Sequence, residues 1–536
     1  MTGLHELLDR FKRLEATLAE RDRQLVERDR QLAERDRQLA ERDRQLAERD
    51  RQLAERDRQL AERDDRIALL EKRVAELEER LNRNSGNSSK PPSTDSPGQR
   101  EQRRQRSASR GKGSDKKQGA QSGHKGHKRP LFPPEEVTTV VVCAPESCGS
   151  CGLELDASHD IAVHREQVVE LPPVTPIVTE YRLHRRQCAG CGQEHVGQRP
   201  PGAAPGGFGP RLTAIAATLT GAFHLSRRSA VVLLRDLFGV RMSTGSLSNC
   251  ERRVADALEK SHDEARAHVA NAPSRYIDAT TWYTKASRSA VWVVATAMVT
   301  LISMTANASR AALLTIVGRI TGRIVGDRAT VFNCWQGTHR QTCWAHLLRY
   351  FEGMAQRDGP AGQVGTALCN LTLAMFSIWH DFKRGTITRA ELQAHFRTPR
   401  GHPKPEVFVE RIRAVLDYGR VCGDGSTEGT CRDILERHWD SLWVFLDVDG
   451  VEPTNNHAER ELRSTVKWRQ TSFGTQSERG NRFAERIMTA SRTLRKQARP
   501  LYPFVHDTLV AHWSGAPKPS LLPHCSEPGQ IVAEAA

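Results

Sequence analysis

The sequence predicts a multidomain α+β protein: a long N-terminal coiled-coil helix, a small β-rich zinc-binding module, a helical region, and an α/β core interrupted by a helical insertion. Three observations carry this. Apolar residues recur at every seventh position from Leu4 to Leu81. Two Cys-x-x-Cys-Gly units lie at Cys148–Gly152 and Cys188–Gly192. From Ser274, three strand-like runs, a helix and two more strand-like runs follow in order. The expected domains are 1–83, 84–130, 131–200, 201–272, 273–515 with an insertion at about 346–450, and a tail at 516–536.

Composition narrows the class of partner. The chain has 536 residues, with 80 Lys and Arg against 65 Asp and Glu, a net charge of +15. That favours a polyanion, nucleic acid before membrane. The one obvious apolar run, Ala290 to Met304, is too short and too interrupted to span a bilayer, so no membrane association is expected. The start, MTGLHELLDRF, has no apolar signal segment, and twelve Cys suggest metal binding in a reducing compartment rather than a disulfide framework. The expectation is a cytoplasmic, DNA-associated protein.

In the first segment the heptad ERDRQL[AV] repeats six times from Glu20. With Leu4, Phe11, Leu18 and their successors as a, the d positions are Leu7 and Leu14 at one end and Leu70 and Leu77 at the other; from Arg21 to Arg63 they are Arg. The outer heptads have a two-residue seam and the middle half of one. A parallel homodimer, or a higher oligomer, is expected; the alternative is a solvated single helix held by i,i+4 pairs. NSGNSSKPPSTD then breaks the helix. Residues 99–129 carry eleven Lys or Arg against Glu101 and Asp115, a basic Gly/Ser-rich tract suited to non-specific phosphate contact.

Four thiolates, Cys148, Cys151, Cys188 and Cys191, suit tetrahedral Zn²⁺, and the Gly after each pair lets the backbone turn around a metal. Strand-like runs at His164–Leu171 and Ile177–Arg186 fill the gap, and a hairpin between them would bring the pairs together; buried free thiols are the alternative. From Phe208 to Ala272 the pattern is helical. Leu225–Phe238, a turn at 239–243 and a second helix from Thr244 resemble a helix-turn-helix, with Ser246, Ser248 and Asn249 as its polar face toward DNA, although any helical hairpin reads the same way.

The core begins with RYIDATTWYT, read as a strand ending at Asp278. Two strands and a helix, Ser309–Arg319, follow. A short strand at Arg323–Val325 then delivers Asp327, and RQTCWAHLLRYF reads as a strand running into a helix. This order is how a ribonuclease-H-like sheet is built, and such a sheet sets an acid on its first strand beside one after its fourth. His346 to Asp449 reads as a helical insertion with Trp379, Trp439, Trp443 and Phe445 as core, and His346 is read as structural. Next comes VEPTNNHAERELRSTVKWRQTSFGTQSERG. Thr454 or Asn455 is a suitable N-cap, and Glu459 shares a helix face with Asn455 and Arg463. A carboxylate there can hold a divalent cation, while Arg460, Arg463, Lys467 and Arg469 suit a polyanion. Spacing alone also fits a surface helix with ordinary charge pairs.

TNNHAER with FGTQSERG resembles the C-terminal motif of the insertion sequence 66 family of bacterial transposases. NSSKPPSTD, GHKGHKRPL and CWAHLLRYF resemble further motifs of that family, and the resemblance extends over about residues 84–515. It implies a DNA transposase of DDE type whose acids are Asp278, Asp327 and Glu459. Two Mg²⁺ or Mn²⁺ would be held roughly 3.5–4 Å apart for strand cleavage at element ends and direct transfer to target DNA. Helper proteins of the same element are possible partners. Three departures stand out: Ala279 in DATTW where the family has Glu, Tyr350 where it has Asp, and Phe332 where it has Tyr. They leave the three acids intact but support an alternative, a decayed transposase or a non-enzymatic DNA-binding regulator. A repair or resolving nuclease, a third class, would need neither the zinc module nor the long helix.

Overall fold

The computed structural model describes residues 2–82, 84, 86–87, 95–96, 98–99, 129–318, 322–335, 337–397 and 408–523. The basic tract therefore lies outside the described residues except at its ends. Residues 1–83 and 84–536 form two separate compact units. In the first, one α-helix runs Thr2–Asn82, as the uninterrupted helix-forming repeat requires.

The second unit is organised around a five-stranded sheet, order β5-β4-β3-β6-β7. The strands are β3 (Ser274–Thr284), β4 (Ser287–Ala295), β5 (Thr300–Thr305), β6 (Arg323–Gly326) and β7 (Arg340–Thr342); β1 (Arg185–Gln187) and β2 (Glu194–Val196) lie apart in the cysteine-rich module. β3, β4 and β5 are antiparallel, and β6 and β7 run parallel to β3. Val291, Val293 and Ile302, with Trp282 and Trp292, are fully or almost fully buried, because helices cover the sheet.

Asp278 does not end its strand. β3 continues to Thr284, paired with β4 throughout, while its pairing with β6 stops at Tyr276 opposite Val325. Asp278 therefore sits where the parallel partner ends. The apolar run 291–299 also divides, because Thr296 and Val299 close a turn: Thr296 N–H donates to Val299 O at 2.8 Å and Val299 N–H to Thr296 Oγ1 at 3.1 Å.

The outer edge of β5 is closed by side chains of one helix, Glu478–Lys496. Thr493 accepts from Thr300 N–H and Thr489 from Ile302 N–H, both at 3.0 Å, and Glu485 accepts from Met304 N–H. These acceptors lie four residues apart, matching one helix face to alternate strand residues. The same helix packs on the region 210–271, where Gly221 is required: a Cβ there would lie 2.7 Å from Ile487. That region is four helices, Pro210–Gly221, Arg227–Phe238, Thr244–Ala257 and Glu259–Asn271. The insertion is helical too, and Trp379, Trp443 and Phe445 are buried, with Trp439 half-buried against them.

The Gly359–Lys383 helix is long and apolar enough to cross a membrane, but half of that stretch is buried within the fold, as in a core helix; Val364, Leu368, Met375 and Trp379 point inward. The segment after residue 515 begins as part of the fold: Leu521 is fully buried and Ser520 Oγ donates to Glu264 at 3.1 Å.

Burial against β5 pushes the Glu485 carboxyl up to about 7, only partly offset by the Met304 N–H and Ser303 hydroxyl and by Arg266 and Arg486. Between about pH 4.5 and 7 the folded chain therefore binds a proton that the unfolded chain has lost, so stability falls as pH rises through that window. Glu485→Gln should remove on the order of 3 kcal/mol of this pH dependence. Denaturant unfolding at pH 4.5 and 7.5 checks this, and a slope unchanged by the substitution would contradict it.

Candidate active site and cysteine module

Three chain segments far apart in sequence meet at one buried residue. Asn455, fully buried, donates its side-chain amide to Ile277 O at 2.8 Å and its backbone N–H to Cys343 Sγ at 3.1 Å. Cys343 N–H in turn donates to Gly326 O at 2.9 Å. Three members of this chain of bonds lie next to an acid: Ile277 precedes Asp278, Gly326 precedes Asp327, and Glu459 follows Asn455 by one helical turn, with its N–H on Asn455 O at 3.1 Å. Asn455 was expected as a helix cap. It occupies the cap position of the Asn456–Ser472 helix, but its side chain makes no capping bond because it is committed to β3.

The register sets the two aspartates on one face. Tyr276 pairs with Val325 in parallel, so the residues two further on, Asp278 and Asp327, project to the same side where the strands part. Burial, then the charges of Asp327 and Glu459, push Asp278 up to about 8, against the Ala279 N–H, 2.8 Å from its Oδ1, and the Arg349 guanidinium. Three carboxylates repelling one another in a half-buried site suit a hard multivalent cation. Asp327 Oδ1 accepts from Ala329 N–H at 3.0 Å, and buried Arg340 donates to Asp327 O at 2.5 Å, fixing the loop after β6.

Glu459 faces His346 and Arg349 rather than Arg463. Its Oε1 lies 3.5 Å from His346 Nδ1, and its Oε2 lies 3.5 Å from Arg349 Nη2. That Oε1, the Asn455 Oδ1 and the His346 Nδ1 are buried without a hydrogen-bond partner. Donor atoms of Cys343, His346 and Glu459 lie within 4.8 Å of one another. Burial, however, pushes the Cys343 thiol up to about 12, which keeps it protonated and leaves it as acceptor for Asn455. Burial also lowers His346, with Arg349 adding to the effect, so the ring stays neutral. The donors open to a cation are thus chiefly carboxylate oxygens, a set suited to Mg²⁺ or Mn²⁺. Arg349 escaped the sequence reading, and His346 was read there as structural. The signal was their spacing after Cys343, three and six residues on, which puts them on the first turns of the Trp344–Ala355 helix.

FGTQSERG fastens the far end of the Asn456–Ser472 helix. Phe473 ends it at φ 54°. Gly474 follows at φ 98°, where a Cβ would lie 2.2 Å from Tyr283 O. Thr475 exchanges backbone bonds with Tyr283 and Lys285 at 3.0 and 2.9 Å. Of the basic residues, Arg460, Arg463 and Lys467 are exposed along one face, while Arg469 is turned inward onto Thr280 Oγ1, at 3.1 Å, and Thr281 O.

The Arg227–Phe238 and Thr244–Ala257 helices form as expected, capped by Ser226 and Ser243 and separated at Gly239, φ 64°. Their polar face is only partly open. Asn249 is exposed, but Ser246 bonds Ser243, and Ser248 accepts from Arg479 at 3.3 Å, because this helix packs against Glu478–Lys496.

Each Cys pair forms a tight turn. Cys148 N–H donates to Leu153 O and Cys188 N–H to Gln193 O, and Gly152 and Gly192 take φ of 75° and 70°. Backbone amides of Ser150 and Cys151 lower the Cys148 thiol, and those of Cys191 and Gly190 lower Cys188. The expected hairpin between 164–171 and 177–186 does not form. Among the described residues 164–171 and 177–184 form no strand ladder, and only the end of the second run pairs, in the ladder of Arg185–Gln187 with Glu194–Val196. Nor do the two Cys pairs converge into one ligand cluster among the described residues. The physical reason is a missing core: Val140, Val142, Ile161, Val163, Ile177 and Val178 are all exposed, so nothing apolar drives the two runs together.

Comparison with known families gives three matches. The family described as "Transposase IS66 family" matches residues 205–482, just over half of the chain and including all three acids. The zinc-finger binding domain of transposase IS66 matches residues 145–192 and spans all four cysteines. A family of unknown function, DUF6444, matches residues 4–130. No curated protein matches the chain. With its core and its cysteine module matched in the same order, the chain belongs to the IS66 family of transposases.

Proposed function

We propose that this chain cuts and joins DNA at the ends of an insertion sequence, using Asp278, Asp327 and Glu459 on a ribonuclease-H-like sheet. The observation that supports this best is the convergence at Asn455, which sets three acids from segments 49 and 132 residues apart around one site. The strand order β5-β4-β3-β6-β7, with three antiparallel strands and two parallel ones, fits the ribonuclease-H-like reading.

In this reading Asp278, Asp327 and Glu459 would hold two divalent ions, which would supply Lewis-acid stabilisation of the scissile phosphate and a lowered pKa for the attacking water or 3′-hydroxyl. Asn455 fixes the separation of the acids. Arg349 and neutral His346 orient Glu459. Arg460, Arg463 and Lys467, spaced i, i+3 and i+7 over about 10 Å of helix, follow the phosphate backbone away from the acids. Arg469 holds β3 and acts as a positioning residue. Asn249 and the flanking exposed helix surface contribute a further DNA contact. Dimerisation through the long helix brings two element ends together.

The departures from the family motifs are compatible with activity. The bond at position 279 to Asp278 comes from the backbone, so Ala279 keeps it. Tyr350 lies under the Arg328 guanidinium, 4.3 Å from its ring centre, and Arg328 pairs with Asp433 at 3.2 Å, so the Tyr350 position has its own structural role.

Asp278→Asn, Asp327→Asn and Glu459→Gln should each abolish Mg²⁺- or Mn²⁺-dependent cleavage of terminal-repeat DNA while leaving binding within about twofold, because the amides keep shape and lose the charge that holds the cation. Cleavage and gel-shift assays on one substrate separate the two, and near-normal cleavage by Glu459→Gln would overturn the assignment.

Cys148, Cys151, Cys188 and Cys191, which stand as two separate turns among the described residues, are proposed to be drawn together by one structural Zn²⁺. In a module without an apolar core, metal binding can contribute on the order of 10 kcal/mol of folding free energy. Cys188→Ser with Cys191→Ser should therefore lose the zinc, unfold residues 131–200 and weaken end binding, while the sheet from Ser274 stays folded. Elemental analysis with hydrogen exchange tests this, and normal end binding by zinc-free protein would contradict it.

A further inference from the structure

The long helix satisfies its own charges selectively. Glu at heptad position c pairs with Arg at f: Glu20 with Arg23 at 3.6 Å, Glu34 with Arg37 at 3.8 Å and Glu55 with Arg58 at 3.0 Å, for example. Gln at g donates to the same glutamates, as Gln31 does to Glu27 at 3.4 Å and Gln59 to Glu55 at 3.2 Å. Positions d and e are left over. From Asp22 to Asp64, every Asp at e has only Leu, Ile, Ala or Val three and four residues away, and from Arg28 to Arg56 every Arg at d has only Leu or Gln there. Among the described residues no ion pair joins these d and e side chains. They flank the stripe Leu18 to Leu60, whose leucines are 53–58% exposed.

Helix packing decides what fits this surface. In a parallel pair, a faces a′ and d faces d′, and each d side chain also lies beside e′ of the partner, so the two Arg that face one another in a layer are neutralised by two Asp. Leucine then meets leucine, and each Arg meets an Asp that its own helix cannot reach. In an antiparallel pair, a faces d′ and e faces e′, setting Leu against Arg and Asp against Asp. Identical heptads would tolerate a slip of seven residues in the middle, but apolar d positions occur only at the ends, Leu7 and Leu14, and Leu70 and Leu77, and these fix the register.

We propose that residues 18–67 bind a second copy of this chain, parallel and in register, through leucine layers alternating with charge-neutral layers of Arg at d and Asp at e′. This rests on the parallel dimerisation expected above and adds its register and the residues that select the partner. The neutral layers weaken with salt while the leucine layers do not.

Charge reversal tests the pairing in the full-length chain. A basic variant carries Asp→Lys at 22, 29, 36, 43, 50 and 57; an acidic variant carries Arg→Glu at 21, 28, 35, 42, 49 and 56. By sedimentation equilibrium, each alone should self-associate about tenfold or more weakly than wild type, and an equimolar mixture should recover a one-to-one heterodimer. Fluorophores at the two N-termini of that heterodimer should transfer energy efficiently, since antiparallel helices of this length would separate them by about 120 Å. Unimpaired self-association of either variant, or a mixture that stays dissociated, would overturn the pairing; absent transfer would overturn the orientation. A third variant, Leu25, Leu32, Leu39 and Leu46→Ser, separates the levels: if it still dimerises like wild type, the dimerisation reading itself fails. If it dissociates while both charge variants behave as wild type, only the Arg–Asp selection fails.

Discussion

The site depends on one buried amide. The Asn455 side chain reaches Ile277 O, its backbone N–H reaches Cys343 Sγ, and Cys343 N–H reaches Gly326 O. Breaking the first of these bonds strands a buried polar group, at a cost of about 1–3 kcal/mol. It also frees the helix bearing Glu459 from the strand bearing Asp278. Hydrogen bonds fix distance and direction as apolar packing does not, and three mutually repelling carboxylates need both. The pair of half-buried Arg492 with buried Glu461, at 2.6 Å, and the Thr475 bonds to β3 brace the same helix along its length. The proposed phosphoryl transfer by positioned charge would demand such a rigid site.

The molecule's parts differ in how much of their stability they carry themselves. The core has a sheet whose edge strand β5 is covered by Thr489, Thr493 and Glu485, and aromatic residues fill its helical insertion. The cysteine module exposes its apolar residues and makes ordered turns only at the Cys pairs. The long helix exposes a full leucine stripe. Both are surfaces that a metal ion or a second chain would complete, as the proposed assembly on DNA requires.

Periodic features were legible in the sequence. The heptad helix, the order of strands and helices from Ser274 and the helical insertion all follow from local pattern. The caps Ser226, Ser243 and Ser309, not named from the sequence, accept from backbone N–H groups as short polar side chains do at helix starts. What local pattern could not carry is tertiary. Asp278 looked like a strand end because its sequence does not reveal that β4 continues where β6 stops. Asn455 looked like a cap, and Arg469 like a phosphate contact, because their partners on β3 lie 178 and 189 residues away in sequence. The expected hairpin between the Cys pairs failed because alternating apolar residues specify a strand only where something covers them. His346 and Arg349 were passed over because a helix start explains a histidine as well as a site does.

The most direct measurement is a structure of the full-length chain crystallised with Mn²⁺, using anomalous scattering to locate the ions. The account predicts manganese peaks bounded by Asp278, Asp327 and Glu459, lost from the Asp278→Asn protein, with zinc confined to the cysteine module. Manganese bound elsewhere, or an ion held by Cys343 and His346 without the two aspartates, would contradict it.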